Sequence, residues 1–563
     1  VIKSLSAAGG FSGKVAVYGS VSINWLYTDV AAYIENCSGN KEVSAKDNIT
    51  VKATDNSAVS VIAGDISGGG KIGAGAAIAI VFIGSGGIIS GKAIMAQTDN
   101  QSNTVASVGR VEIEVSGFDL LAEHSAKYNS KVNTYNAAVV GGSAGMTDNR
   151  VNAVLKAQIG AEAKINAYDI LIRAQNYTLK DWLSDGYNVY SGSGGGVDIP
   201  AAASVTDIKQ EAIIEILNNA ILNLISDPLL YPGNLNLAAF NFLLARENIK
   251  LDSLSAITSA AALSKITADD IAKVIIGQHA SLNSEEDINI SAHSQVEIDS
   301  KVSINVVGAA TGAGCETIAE VNNENSIVVM PYAELYAEGT INLLAGKNIA
   351  DYENNIRINV NSVIVNRGAI PFSDPVAEGY INLKNYITVE ENAALKSVGD
   401  INLITESGVL LAEADVSGTD WVKSIFGAEI VGGTGKFTVD SIVRVDGTVL
   451  TGMRNQQIIV IDENGNVVPD QSTEGLNVTY KKEILYNYIL EEIKELNRLA
   501  AEYAGTEAGE AFKAQVRTLE RELELLGYNT NGPLEPIWID IIVIGNIHAE
   551  QSNINIVSEN GSL

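Results

Sequence analysis

One short pattern returns along the whole chain, and nothing constrains its fold more. The stretches EVSAKDNITV (42–51), KINAYDILIRA (164–174), SLNSEEDINISA (281–292), ELYAEGTINLLA (334–345), AEGYINL (377–383), LKSVGDINL (395–403) and SNINIV (552–557) share it. Each alternates apolar with polar or small residues around a turn and an Ile-polar-apolar unit. The Ile-Asn-Leu/Ile triplet begins at Ile288, Ile341, Ile381, Ile401 and Ile554, and the steps between the first four are 53, 40 and 20. Two of these steps are multiples of 20. Val21-Ser22-Ile23-Asn24 also returns as Val302-Ser303-Ile304-Asn305, and Ser130-Lys131-Val132 as Ser300-Lys301-Val302. Short alternating runs punctuated by Gly, Asn and Asp at roughly 20-residue spacing predict a β-solenoid of stacked coils, because no coil can bury its apolar face alone.

The residue choices follow from stacking. Ile and Leu of the triplet point inward and the Asn between them outward, where stacked amides can form ladders. Gly and Asn serve turns that need positive φ. Only 9 prolines are present, so the strands keep their donors for both neighbours. Separate β-sandwich domains are the rival arrangement, but they do not repeat a short motif at this spacing. The expected fold is all-β dominated, with about 20 coils and a rod of roughly 95 Å at about 4.8 Å per coil.

Two regions break the pattern. Asp207 to Ile225 places Ile208, Ala212, Ile213, Ile216, Ala220 and Leu224 on one helical face before Pro228. Leu235 to Arg246 and Ala268 to Ile276 also read as helices, the latter capped by Thr267 and stopped by Gly277. In Lys481 to Leu526, two helices flank Gly505-Thr506, with an apolar stripe of Ala508, Phe512, Val516, Leu519, Leu523 and Leu526. The expected division is solenoid at 1–176, helical insertion at 177–279, solenoid at 280–476, helical hairpin at 477–530, and return to the solenoid at 531–563.

These units, with the Gly/Ala-rich V-S-I-N strands at 19–24 and 301–312, resemble the filamentous haemagglutinin class of bacterial exoproteins, particularly the large leukotoxin-like filamentous adhesins. The resemblance covers about two thirds of the chain and is specific for architecture. It implies a right-handed parallel β-helix, secretion to the surface of a diderm bacterium with an outer-membrane secretion partner, and a part in adhesion. The chain has no start methionine and stops just after a strand, so it reads as a shaft fragment. Its partners would be other copies of itself or the rest of a longer chain, and a glycan or protein on a host or other cell surface.

Composition narrows the partners further. With 37 Lys and Arg against 67 Asp and Glu, the formal charge is −30, which lacks the basic footprint of a nucleic-acid or anionic-membrane binder. Two cysteines fit neither a disulfide scaffold nor a thiolate zinc site; Cys37 and Cys315, many coils apart, are expected to form no bridge. Ile72 to Gly91 has the length of a membrane span, yet its six glycines favour one buried strand between turns.

Candidate chemistry is sparse. The pairs Asp269-Asp270, Glu285-Glu286-Asp287 and Glu390-Glu391 would serve glycan cleavage only if two carboxylates converged. A helix first turn or a loop accounts for them otherwise. Asp462, Asn464, Asn466 and Asp470 imitate a calcium loop, but Val467 and Thr473 stand where its Gly and Glu belong, and a hairpin turn explains the stretch. Of the four histidines, His124 and His293 occupy near-equivalent places in two repeats, His279 and His548 stand elsewhere, and such spacing argues against a shared metal. GSGGG (192–196) lacks the Lys-Ser/Thr of a phosphate loop and reads as a linker. The 20 tyrosines suit carbohydrate or protein contacts as well as exposed strand positions. No cofactor and no enzymatic activity are expected. The leading expectation is an adhesin shaft; the alternatives are a self-assembling filament or surface-layer subunit, and a polysaccharide-degrading β-helix enzyme.

Overall fold

The computed structural model describes residues 2–6, 15–34, 42–45, 47–64, 89–180, 186–225, 233–420, 433–451, 476–480, 493–494, 497–498, 501, 513, 516, 528–529, 532–533, 538–543, 547–549 and 554–559. Among them the chain is overwhelmingly β, and 25 of its strands form one hydrogen-bonded sheet of parallel pairings, compatible with a β-solenoid.

The coil is much larger than the short motif suggests. Ile288 stands on Leu235, Ile341 on Ile288 and Ile401 on Ile341, steps of 53, 53 and 60 residues. The 53-residue sequence step is therefore one coil, and the 40- and 20-residue steps together make the next. Ile381 belongs to another part of the coil, between Val321 and Phe437. One column runs Ile49, Phe118, Ile170, Leu235, Ile288, Ile341, Ile401, Ile554 and Leu476. At about 4.8 Å per layer this stack is roughly 40 Å deep, not 95 Å. Its last two members are out of chain order, because Ile554–Glu559 lies between Ile401–Glu406 and Leu476–Tyr480.

Each coil goes out and comes back. Along Leu235–Ile276 the inward residues are Leu235, Leu237 and Ala239, then Asn241, then Leu243 and Ala245, then Glu247, then Ile249 and Leu251. After a tip at Ser253 to Thr258 the order reverses through Ala260, Ala262, Ser264, Ile266, Ala268, Asp270, Ala272, Val274 and Ile276. Polar residues meet across the interior: Asn241 Nδ2 donates to Asp270 Oδ1 at 2.5 Å, Ser264 Oγ to Glu247 Oε2 at 2.7 Å, and Ser253 and Thr258 hydroxyls lie 3.1 Å apart. Two faces of the one sheet thus oppose each other, and each arm of some 20 residues spans about 65 Å of extended chain. The Asn241–Asp270 level divides the apolar interior into two clusters, one at the base and one along the arms.

The base is closed by a third, short face of the same sheet, containing Ile221–Leu224, Ser281–Ser284, Glu334–Ala337, Ala394–Ser397 and Thr448–Thr451. The corner before it places Glu162, Asn219, His279, Tyr332 and Asn392 at φ of 56° to 64° in successive coils. Asn and His are enriched in this left-handed backbone; Glu and Tyr seldom adopt it. The His279 and Tyr332 rings stack at 4.9 Å, joining two such corners. At the centre of the triplets, Asn289 donates to Asn236, Asn342 to Asn289, Asn402 to Asn342 and Asn555 to Asn402, at 2.7 to 3.0 Å. This is the expected amide ladder.

The helical insertion expected at 177–279 is not there. Val189–Asp198, Ala201–Ile216, Ile221–Leu224 and Leu235–Ile276 are strands in register with their neighbours. In Asp207 to Ile216 the buried residues are Ile208, Gln210, Ala212, Ile214 and Ile216, a period of two that the polar Gln210 hides. The hairpin expected at 477–530 lies mostly outside the described residues; within that span Ile493, Lys494, Asn497, Arg498, Ala501, Lys513 and Val516 are described as helical, whereas 477–480 belong to the strand Leu476–Tyr480 and Tyr528–Asn529 is a short strand, so the expected bounds take in strand at both ends. No inserted helical subdomain is seen among the described residues. Of the apolar run 72–91, only 89–91 is described, opening the strand Ile89–Val108. Among the described residues no helix is long and apolar enough to cross a membrane.

The repeated V-S-I-N segments are not equivalent. Val21 lies on a returning arm and Val302 on an outgoing one, and Ser22 points inward whereas Ser303 does not. Ser130-Lys131-Val132 and Ser300-Lys301-Val302 do share columns, through Val132, Val189, Ile249 and Val302.

Ile401 is fully buried. Ile401→Asp should therefore lower stability by about 3–5 kcal/mol in urea unfolding, whereas Asn402→Asp, which loses one ladder donor, should cost about 1 kcal/mol. Equal losses would contradict the inward and outward assignment.

Candidate functional site

The sequence candidates do not assemble into one centre. Asp269 faces outward and accepts from Asn322 Nδ2 at 2.9 Å, while Asp270 is fully buried. Asp287 Oδ1 accepts from the Thr340 backbone N–H at 2.7 Å at one corner, and the Glu390 carbonyl accepts from the Ala393 N–H at 3.0 Å at another. His124 belongs to an inward column with Asn176, Asn241 and Ser294, so His293, one residue earlier, points to the opposite side of the sheet. Among the described residues no group of three or more His, Cys, Asp or Glu is placed to hold a metal. Asp462, Asn464, Asn466, Asp470 and Cys37 lie outside the described residues. Cys315 is a buried free thiol, pushed up to about 11 chiefly by burial.

Inward polar groups are instead used to join coils. Asp270 accepts from Gln210 Nε2 at 2.8 Å in the coil before, from Asn241 across the interior, and from Ser294 Oγ at 3.1 Å in the coil after. Ser294 Oγ also meets Asn325 Oδ1 at 3.0 Å, and Asn325 Nδ2 donates to Asn385 Oδ1 at 2.9 Å, which extends the network. Nearer the tip, Lys180 and Glu247 form an ion pair with both side chains fully buried; Lys180 also reaches Thr206 Oγ1 at 2.9 Å. Burial holds Lys180 well below the usual lysine range. These groups face one another inside the stack.

The outward face of the arms carries a different cluster. Tyr135, Gly192, Asp252 and Asn305 form one column, and Asn133, Tyr190, Lys250 and Ser303 the column beside it. The GSGGG stretch is therefore not a linker but part of the strand Val189–Asp198. A Cβ at 192 would stand 2.6 Å from Tyr135 Cδ2, so any other residue there would force that ring to shift. Tyr187 and Tyr190 rings lie 6.4 Å apart, tilted by 44°, with Lys250 Nζ 5.5 and 5.9 Å from their centroids. Lys250 Nζ pairs with Asp252 Oδ2 at 3.0 Å, and Asn305 Nδ2 reaches Asp252 Oδ1 at 3.3 Å. Burial, then the Asp252 carboxylate, pushes the Tyr190 phenol above its ordinary range, so it stays protonated. Asn305 Oδ1 has no hydrogen-bond partner.

Sequence reasoning missed this cluster. Its members come from four successive coils and meet only through coil steps of 53 to 60 residues, so their proximity is invisible without the coil length. A second aromatic group, Tyr177, Phe240, Phe242 and His293, lies elsewhere on the same sheet, with Phe240 and His293 rings 4.6 Å apart. Asn348 Nδ2 approaches His293 Nε2 at 3.4 Å. No family model, curated protein or solved structure matches the chain.

Burial pushes Asp270 up to about 6 and His293 down to about 4. Between pH 4 and 6 folded Asp270 keeps a proton that the unfolded chain releases, so its contribution to stability falls as pH rises. Folded His293 lacks a proton that the unfolded chain holds up to about 6.5, so its contribution rises over the same window. The two terms oppose each other. Gln210 Oε1 has no partner, so in Asp270→Asn the Gln210 amide can turn and accept from the new Nδ2. The stability of that variant relative to the parent should grow by on the order of 2–3 kcal/mol from pH 4 to pH 6, measured by urea unfolding. Parallel curves would contradict a buried ionisable Asp270.

Proposed function

We propose that the chain is a segment of the shaft of a secreted, surface-exposed filamentous adhesin, a right-handed parallel β-helix whose work is extension and contact. The observation that carries this reading is how the interior polar groups are used. Asp270, Gln210, Asn241, Ser294, Asn325 and Asn385 bond one another from coil to coil, which makes them joints of a scaffold. Two of the acidic groups sit at separate corners and Asp269-Asp270 point to opposite sides of one strand, an arrangement that lends no support to glycan cleavage. The −30 charge repels neighbouring shafts and an acidic envelope. Delivery to the surface of a diderm bacterium through an outer-membrane partner completes the reading, which rests on the repeat motifs.

Electron microscopy tests it. Antibody against the chain should label thin fibres leaving the surface of intact cells that make it, and the purified chain should remain as discrete particles as concentration rises. Label confined to the cell interior would overturn the reading. End-to-end growth of the purified chain with concentration would replace the shaft with a self-assembling filament subunit.

A further inference from the structure

We propose that Tyr135, Tyr187, Tyr190, Lys250, Asp252 and Asn305 form a binding site for an uncharged oligosaccharide. This deepens the contact role proposed above and rests on it.

The cluster has the two components such a ligand needs. Sugar rings present apolar C–H faces that pack on aromatic rings, and hydroxyls that both donate and accept. Tyr135 is 40% exposed, and its ring is fitted against the backbone of Gly192, a position where any Cβ would displace it. Tyr187 and Tyr190 supply two more rings one coil away, inclined to each other rather than closed into a stack. Around them stand a cation at Lys250 and a carboxylate at Asp252, which Asn305 Nδ2 steadies from the coil after. With their side chains 33% and 27% exposed, Lys250 can donate to a ligand hydroxyl and Asp252 can accept from one.

The charge pattern selects among glycans. Lys250 is already paired with Asp252 at 3.0 Å and lies over two tyrosine rings, so it is no free anchor for an anion. The chain as a whole carries −30, which repels sulfated or sialylated chains. Three rings spread over two neighbouring coils offer places for more than one sugar unit, so an oligosaccharide should bind better than a monosaccharide.

The test is calorimetric titration of the full chain with a panel of neutral hexasaccharides of β-1,4-glucose, β-1,4-N-acetylglucosamine, α-1,4-glucose and β-1,4-mannose, alongside a heparin hexasaccharide. At least one neutral member should bind, and the heparin fragment should not. Tyr187→Ala and Asp252→Asn should each weaken that binding by about tenfold or more. Tyr27→Ala, which removes a 69% exposed ring on a returning arm, should leave it unchanged. Unaltered far-UV circular dichroism and melting temperature show that each variant is folded, and Tyr190→Phe, which keeps the ring, provides a milder second probe of the same site. No binding by any neutral hexasaccharide at 10 mM (about 2.7 kcal/mol of affinity) would overturn the proposal. So would binding that survives both site substitutions, or binding of heparin alone. The outcome is separable from the shaft reading: fibres at the cell surface with no glycan binding would sink only this site, and glycan binding by a chain confined inside cells would sink only the shaft.

Discussion

Each coil of this protein depends on parallel backbone ladders to the coils before and after it. A strand buried in such a stack has no water to satisfy its N–H and C=O groups, so the neighbouring coils must do it. Parallel pairing in register then forces like positions into columns, and a slip by one residue would turn every inward side chain outward. The buried polar residues reinforce that register. Asp270 has partners in the coil before, the coil after and the facing arm, so no other offset would satisfy it. The buried Lys180–Glu247 pair acts alike, because moving either partner would leave an uncompensated charge away from water.

That constraint explains which features were legible in the sequence. The triplets were, because Ile288, Ile341 and Ile401 fill one inward column, and the outward amides of Asn289, Asn342 and Asn402 form the ladder their spacing implies. The coil length was not. Ile381 repeats the triplet chemistry on the returning arm, and its interposition made a 60-residue coil resemble units of 20. The false helices have a related cause. Where Gln210 or Asn241 takes an inward place, and outward places hold Ile213, Phe240 or Phe242, alternation no longer separates apolar from polar residues. A pattern reader then finds a period near four in what is an extended strand.

The tyrosine cluster was beyond reach for a geometric reason. Tyr135, Tyr190 and Asp252 have no shared local motif; they become neighbours only when three coils are laid on one another. The glycine-rich stretch between them, unremarkable as a string, becomes informative once Gly192 is seen beneath the Tyr135 ring. A flattened coil leaves broad outward faces, and those faces are where side chains free of stacking duty can take up contacts. Interior chemistry and surface chemistry are in this way divided between the two sides of the same strands.

The long coil is the central claim, and one distance tests it. Glu112, Lys164, Ile221, Ser281, Glu334, Ala394 and Thr448 form a single column of six inter-coil steps. Spin labels on Glu112→Cys and Thr448→Cys, in a chain whose Cys37 and Cys315 are replaced by alanine, should give a pulsed dipolar distance near 29 Å at about 4.8 Å per step. A solenoid of 20-residue coils would separate the same positions by about 80 Å, and a distance beyond 60 Å (more than about twelve such steps) would contradict the architecture described here.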